Sequence, residues 1–160
     1  MRSIAVLSLA LLLTSCGGAA ECPEPAPSAS AGDEAAPELA SPPAEVRALA
    51  DAERRASPPG TAVVAMLARG NHAFLGRLEM EAGAAVPENS DDDEEYIHVL
   101  EGHGTVWIDG VESEVTPGAT IFMPAGSVVR YQNGDERLVA IQVFAGPASA
   151  DKYDRWTRVE

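Results

Sequence analysis

The chain has 160 residues, 46% of them hydrophobic but only 5% aromatic, and a formal net charge of −14. This length suits one folded domain with flanking segments, and the scarcity of aromatic residues requires a largely aliphatic core. The negative charge argues against nucleic acid as a partner and against electrostatic docking to anionic lipid, because like charges repel.

The first element along the chain is a short apolar segment, residues 4–13, preceded by the cation Arg2. It is shorter than the roughly 20 residues that a membrane-spanning helix needs, and the pattern is typical of a secretory signal peptide. The segment ends in LTSC, which resembles the bacterial lipobox of one aliphatic residue, two small residues and a cysteine. The resemblance implies a signal peptide over 1–15, cleavage before Cys16 and attachment of lipid to the Cys16 sulfur.

Lipidation of Cys16 makes a lipid bilayer the first expected partner, since each buried acyl methylene contributes about 0.8 kcal/mol to anchoring. Gly17 follows the cysteine, and by resemblance to the sorting rule of enteric bacteria a residue other than aspartate favours the outer membrane. The expected location is therefore the bacterial cell envelope, lipid-anchored in the outer membrane. The second cysteine, Cys22, then has no intramolecular partner and is either free or paired between chains.

Composition divides the rest of the chain into four parts. Residues 16–43 are rich in alanine and proline and carry no cation, so they bury too little apolar surface to fold and are expected to form a disordered tether. Residues 44–59 begin with helix formers and continue into SPPG, which predicts a short helix over 44–56 and a linker. Residues 60–147 are expected to form a barrel, and residues 148–160 a helical or irregular C-terminal tail.

From Thr61 the sequence changes to short segments rich in β-branched and apolar residues, with Gly, Pro, Asn or Asp at nearly every junction. A period of two is typical of strands with one buried face, and this spacing predicts an antiparallel sandwich or barrel. In the tail, Tyr153 and Trp156 are three residues apart, so both are expected on one face against the sheet. The segments are TAVVAMLA, HAFLGRLEME, YIHVLEG, TVWIDG, ATIFMPAG, VVRYQNG and LVAIQVF.

Two spacing patterns resemble the motifs of the cupin family. The first family motif is Gly, five residues, His, one residue, His, three or four residues, Glu, six residues, Gly. In this chain Gly83, Glu95 and Gly102 keep that spacing, while Asn89 and Asp91 stand where the family has its two histidines. The framework of the motif is present and both imidazoles are replaced.

The second family motif is Gly, five residues, Pro, one residue, Gly, two residues, His, three residues, Asn. Gly118, Pro124, Gly126 and Asn133 keep this spacing, and Val129 stands at the histidine position. Together the two resemblances imply an all-β fold, a cupin-like double-stranded β-helix or jelly-roll barrel, with short flanking helices and a pocket between its sheets.

The resemblance places Asn89, Asp91, Glu95 and Val129 at the candidate pocket. In metal-binding cupins three imidazoles and one carboxylate hold Fe, Mn, Ni, Cu or Zn there, and imidazole suits these metals. Here the four positions offer an amide, two carboxylates and an isopropyl group, so no metal cofactor is expected. A divalent cation such as Ca²⁺, Mg²⁺ or Mn²⁺ on the oxygens of Asn89, Asp91 and Glu95 stays open as an alternative.

The remaining polar residues near the motifs are expected to face away from the pocket. Counting alternation from Glu95 puts His98 on the opposite face of its strand, and His72 and His103 are expected at the surface. The other side chains expected to point outward are Arg77, Arg130, Tyr131 and Gln142, and those expected in the core are Phe122, Met123 and Phe144.

These features predict an envelope lipoprotein whose barrel has lost transition-metal binding and acts as a ligand-binding or interaction module. The acidic residues around the pocket favour a small neutral or cationic ligand. One alternative is a metal-dependent cupin enzyme, a dioxygenase or an isomerase, that uses the oxygen ligands Asn89, Asp91 and Glu95. Another is a structural module that forms a homodimer through the outer faces of its sheets.

Overall fold

The computed structural model of the chain describes residue 40 and residues 42–160. The predicted signal peptide, Cys16, Cys22 and nearly all of the tether predicted over 16–43 lie outside these residues, so what was expected of them stays a prediction. In the part of the chain that is described, no helix is long and apolar enough to cross a membrane.

Antiparallel strands make up most of the described residues. One 3₁₀ helix, Leu49–Asp51, precedes the first strand, and a second, Ala148–Arg155, lies between the last two strands. The strands are β1 Glu53–Ala56, β2 Ala62–Arg69, β3 Phe74–Met80, β4 Ala85–Asn89, β5 Glu94–Glu101, β6 Gly104–Ile108, β7 Val111–Val115, β8 Thr120–Met123, β9 Val129–Asn133, β10 Leu138–Ala145 and β11 Thr157–Val159.

The strands lie in two sheets that face each other. The larger sheet has the order β11-β1-β2-β3-β10-β5-β8, and the smaller has the order β4-β9-β6-β7. Strands far apart in sequence are neighbours, as where β10 lies between β3 and β5. This arrangement confirms the prediction of an all-β jelly-roll barrel.

Alternation along the strands decides which face is buried. Along β3, buried side chains alternate with half-buried ones, and Leu78 and Met80 point inward. Along β5, Ile97 and Val99 share the inward face with Glu95, while the residues between them are exposed. A period of two therefore lines the space between the sheets with aliphatic groups, as the sequence predicted.

Tight turns set the register at two strand ends. Asp109 (φ 49°) and Gly110 (φ 80°) both adopt the left-handed conformation, which is the combination of a type I′ hairpin between β6 and β7. Gly102 (φ 82°) passes so close to a neighbouring segment that an added Cβ would lie 2.5 Å from the Arg137 carbonyl oxygen. A side chain at Gly102 is therefore excluded both by backbone conformation and by contact.

Buried side chains form two hydrophobic clusters. The aromatic cluster contains Phe74, Phe144 and Tyr153, together with Val64 and Ala150. The lumen cluster is almost entirely aliphatic and draws on both sheets. Its members are Leu78, Met80, Ala84, Val99, Val106, Val115, Ile121, Met123, Tyr131 and Leu138.

The segment before the barrel corrects one prediction. The helix predicted over 44–56 is wrong, because only Leu49–Asp51 forms a 3₁₀ turn and the following residues become β1. These residues favour a helix in isolation, but β1 pairs with β2 on one side and β11 on the other, and this tertiary pairing overrides local propensity. The larger sheet thus includes two strands outside the barrel predicted over 60–147.

The C-terminal tail is ordered against the larger sheet. Ala148–Arg155 forms a 3₁₀ helix and β11 follows it. Tyr153 is only 2% exposed, and its ring lies 4.9 Å from that of Trp156 between centroids. The prediction that these two aromatic residues share one face is confirmed.

Candidate functional site

A cavity of about 300 Å³ lies inside the lumen cluster. Its wall is aliphatic because the inward positions of the surrounding strands carry Val, Leu, Ile and Met. Most of its polar side chains gather at one end, called the mouth below and defined by Asn89, Asp91, Glu95, Gln142 and Lys152. The cavity is therefore an apolar space with a small polar opening, the usual form of a small-molecule site.

The four side chains predicted at the pocket all line this cavity. Asn89 ends β4 and is the cross-strand partner of Val129 on β9. Glu95 points inward from β5, and Asp91 lies in the loop just before it. The Asp91 carbonyl accepts a hydrogen bond from the Gly126 N–H at 2.8 Å, so the second motif helps to place the first. The structure brings the four residues together, and that they bind a ligand stays a prediction.

Glu95 belongs to a hydrogen-bonded chain of three side chains. On the paired strands β5 and β10, Glu95 stands opposite Phe144, which makes Gln142 its diagonal neighbour. The Gln142 Nε2 donates to Glu95 Oε1, and the Gln142 Oε1 accepts from the Tyr153 hydroxyl at 2.6 Å. The tyrosine thus fixes the orientation of the amide and keeps its nitrogen towards the carboxyl group.

The environment of Glu95 changes its acidity. Burial raises the pKa of Glu95 above its ordinary value, because the ionised carboxylate loses its hydration. The hydrogen bond from Gln142 and the positive charge of Lys152 act in the opposite direction, and the Asp91 carboxylate reinforces the rise. Glu95 therefore keeps a proton to higher pH than a surface glutamate does.

Lys152 reaches the mouth from the tail. Its Nζ donates to Asp91 Oδ2 at 2.5 Å and lies 4.6 Å from the centroid of the Phe144 ring. The tail is fastened nearby, since the Ser149 N–H donates to Asp93 Oδ2 at 2.8 Å and the Asp93 N–H donates to Ser149 Oγ at 3.3 Å. An ammonium group is thereby held beside one of the two mouth carboxylates.

Two residues that line the cavity were predicted from the sequence to lie on the outward faces of their strands. The predictions that Gln142 and Tyr131 point outward are wrong, because both line the cavity. Alternation carried the signal, since Tyr131 is two residues from Val129 and Gln142 is two residues from Phe144. At the far end, the Tyr131 hydroxyl donates to Asn133 Oδ1 at 3.2 Å, and burial raises the pKa of Tyr131 to about 12.

The remaining predictions concern two arginines expected to point outward and three apolar residues expected in the core. Arg77 pairs with Glu79, and the Arg130 guanidinium lies 3.8 Å from the Trp107 ring centroid, so neither arginine lines the cavity. Of the residues expected in the core, Met123 lines the cavity and Phe144 is buried in the aromatic cluster. Phe122 is the exception, with 47% of its surface exposed.

The tail supplies cavity residues that the sequence did not assign to the site. Lys152, Tyr153 and Trp156 all line the cavity. No local pattern points to Lys152, because its partner Asp91 lies 61 positions away in sequence. Contacts of this kind depend on the closed fold.

The histidines lie away from the cavity. His98 faces outward and its Nδ1 is 2.9 Å from Thr120 Oγ1, as alternation from Glu95 predicted. His103 Nε2 lies 3.3 Å from Asp135 Oδ1 at the surface, and His72 is exposed. Across residues 42–160, no three His, Cys, Asp or Glu side chains are grouped so that they could hold a metal ion.

The two-sheet barrel and the site on its inner strands define a cupin-fold domain. The family model for the cupin domain matches residues 76–144, from within β3 to within β10. The match includes the residues of both sequence motifs and excludes β1, β2 and the tail. Among curated proteins, none matches the chain significantly.

Solved structures support the same fold. The KdgF protein of Halomonas sp. superposes with a TM-score of 0.61 at 14% identity, over 69% of this chain and 99% of that one. An RmlC-like cupin of Shewanella frigidimarina superposes with a TM-score of 0.60 at 20% identity, over 68% of this chain and 96% of that one. The polyketide cyclase RemF of Streptomyces resistomycificus superposes with a TM-score of 0.57 at 22% identity, over 63% of this chain and 78% of that one. At such identities the likeness establishes the fold and nothing further.

Proposed function

We propose that this chain is a cell-envelope lipoprotein whose cupin-fold barrel binds a small molecule without catalysing a reaction. The observation that carries the proposal is the cavity itself: about 300 Å³ of largely apolar space with most of its polar side chains at the mouth. Such a space excludes bulk water from the body of a ligand and leaves a few polar groups to orient it.

We further infer that the mouth has lost transition-metal binding, because its donors do not fit such a metal. The Asn89 amide nitrogen donates to the Pro87 carbonyl at 2.9 Å, and Val129 has no donor atom. Asp91 is engaged by Lys152, and Glu95 by Gln142. Fe, Cu, Ni and Zn favour imidazole or thiolate, and Ca²⁺ needs about six to eight oxygens.

Metal analysis tests this inference. Residues 17–160 would be purified without chelator, analysed for bound metal and titrated with Mn²⁺, Fe²⁺, Zn²⁺ and Ca²⁺ while Tm is followed. The variants are Glu95→Gln and, as a matched control on the exposed strand β7, Glu114→Gln. We expect less than one metal ion per protein molecule, and we expect added metal to leave the Tm of each of the three proteins unchanged. Near-stoichiometric metal that Glu95→Gln loses and Glu114→Gln retains would instead support the metal-dependent enzyme with ligands Asn89, Asp91 and Glu95.

The lipid anchor has its own test, because two cysteines provide a matched pair. Cells expressing the full chain would be labelled with an alkyne analogue of palmitate. We expect Cys16→Ala to abolish the label and Cys22→Ala to retain it. Equal labelling of the two variants would remove Cys16 as the lipidation site, and fractionation of the wild type would locate the protein in the outer or the inner membrane.

A second candidate function is structural, with a homodimer formed through the outer face of the larger sheet. Tyr96 and Phe122 stack on that face with ring centroids 5.0 Å apart, and they are 37% and 47% exposed. Leu100 on the same strand as Tyr96 is 45% exposed, and an exposed apolar patch favours association. Light scattering at micromolar concentration tests it: a monomer in the wild type removes this candidate.

A further inference from the structure

We propose that the cavity binds a hydrophobic amine, whose apolar body fills the lumen and whose ammonium group lies against the Oε2 atom of Glu95. This inference rests on the proposed binding function and names the chemical class of the ligand. It is carried by the volume and wall of the cavity, by the hydrogen bonds that orient the mouth, and by the balance of charge there.

The volume sets the size of the apolar body. A dry cavity of about 150 Å³ with an aliphatic and aromatic lining holds the six carbons of benzene. The cavity here has about 300 Å³, which gives room for roughly ten carbon atoms by the same measure. Its wall offers such a body no hydrogen bond along most of its length. The aliphatic residues of this wall include Leu78, Val99, Val106, Val115, Ile121 and Leu138.

The hydrogen bonds at the mouth leave one oxygen of the Glu95 carboxyl group for the ligand. The Tyr153 hydroxyl holds the Gln142 amide so that its nitrogen donates to Glu95 Oε1. Within residues 42–160 no protein donor bonds to the other carboxyl oxygen, Oε2, and that atom is not sealed from the cavity. One oxygen of the carboxyl group is thus bonded to the protein, and the other is available to accept a hydrogen bond from a ligand.

Charge selects an ammonium over a carboxylate. Asp91 and Lys152 form a close pair, so the carboxylate of Glu95 has no full counter-ion of its own at the mouth. A buried carboxylate is costly without a partner, and a ligand ammonium would supply one. A ligand carboxylate would face both Glu95 and Asp91, and Lys152 is already engaged. Burial raises the pKa of Glu95, and a neighbouring ligand ammonium would lower it, so binding should release protons at pH values between the pKa of the empty site and that of the occupied site.

The experiment compares three probes of one chain length: 1-octylamine, 1-octanol and octanoate. Calorimetric titration into residues 17–160, which contain every described strand and both clusters, gives the three affinities at pH 7. We expect octylamine to bind about tenfold or more tightly than octanol, as a charge-assisted hydrogen bond provides, and octanoate to bind weakest. Repeating the octylamine titration at several pH values from 4 to 8, each in two buffers of different ionisation enthalpy, should reveal proton release in part of that range.

Variants separate this site from general attraction of amines to an acidic protein. Glu95→Gln keeps the size and a hydrogen-bond acceptor, so it should retain octanol binding, lose the preference for octylamine and release no proton. Glu114→Gln removes an equal charge far from the cavity and should behave as the wild type. Val106→Phe occupies the lumen and should weaken octylamine and octanol together, and circular dichroism shows whether each variant is folded.

The outcomes distinguish the two proposals. Octanoate binding as tightly as octylamine, or an amine preference that Glu95→Gln leaves intact, overturns the amine and leaves a ligand-binding cavity in place. Failure of all three probes to bind the folded wild type overturns the amine and also contradicts the proposed binding function. Binding that Val106→Phe does not weaken in its folded state places the probes outside the lumen and likewise overturns the inference.

Discussion

The two hydrophobic clusters differ in packing density: the aromatic cluster is closely packed, whereas the lumen cluster surrounds a cavity. In the aromatic cluster, the rings of Phe74, Phe144 and Tyr153 lie within 5.6 to 6.4 Å of one another between centroids. Gly76 makes room there, since an added Cβ would come within 2.9 Å of both the Phe74 ring and the Val64 side chain. The lumen cluster has short aliphatic groups around a cavity of about 300 Å³ instead.

The contrast shows that the empty space follows from the choice of residues. Protein interiors ordinarily pack as densely as organic crystals, and this chain reaches close packing in the aromatic cluster. Around the lumen, valines stand at inward positions such as Val99, Val106 and Val115, where longer side chains would close the space. A cavity maintained beside a well-packed core is a feature expected of a site with an occupant.

The largest expected effect comes from removing an aromatic ring. Phe144→Ala should lower the free energy of unfolding by about 3–5 kcal/mol, because it deletes a fully buried ring from close packing. Met123→Ala in the wall of the lumen should lower it less, nearer to about 2 kcal/mol, because one side of Met123 already faces empty space. Urea unfolding measures both. Equal losses would mean that the lumen is packed as tightly as the aromatic cluster.

Replacing a small side chain by a larger one should also have opposite effects on stability in the two clusters. Ala150→Leu, at a fully buried position in the aromatic cluster, should destabilise the protein by about 1–3 kcal/mol through overpacking. Val106→Leu should leave Tm unchanged or raise it, because the added methylene enters the cavity. Calorimetry compares the two variants. A loss for Val106→Leu as large as for Ala150→Leu would contradict an open lumen.

A smaller effect is expected where the clusters meet. Tyr153→Phe should lower stability by roughly 1–2 kcal/mol, because it leaves the buried Gln142 oxygen without its donor. Tyr131→Phe is the matched control, and it should cost less because its hydroxyl bond to Asn133 is longer, at 3.2 Å. Denaturant unfolding of both variants decides the order, and a reversed order would mean that the Tyr153–Gln142 bond adds little.

The smallest effect is a pH dependence. Because the pKa of Glu95 is raised in the folded state, its contribution to stability is fully present below the unfolded value near 4.5 and is lost as pH rises through the folded value. Glu95→Gln does not titrate and leaves the groups that face Glu95, namely Asp91, Lys152 and Tyr153, in place. Its stability relative to the wild type should therefore increase from pH 4 to pH 8 in urea unfolding, whereas Glu114→Gln should show no such trend.

Alternation predicted an antiparallel sandwich or barrel, and the resemblance of two motifs to the cupin family implied the jelly roll and placed Asn89, Asp91, Glu95 and Val129 at the cavity. Alternation assigned Glu95 and His98 to opposite faces of β5, and the motif spacing brought Asn89 to Val129 across two strands. The predicted helix over 44–56 failed because β1 is formed by pairing with strands from elsewhere in the chain. Lys152 was not found for the same reason, since its position depends on how the tail folds over the aromatic cluster.

The placement of the two tryptophans equips this protein with an optical reporter of its own. Trp156 lines the cavity in edge-to-face contact with Tyr153, whereas Trp107 lies outside it, stacked under Arg130 and bonded through Nε1 to Glu112. A molecule that enters the lumen changes the polarity around one indole and leaves the other as an internal reference. Occupancy can thus be followed by emission wavelength in unlabelled protein, with Trp107→Phe isolating the signal from the cavity.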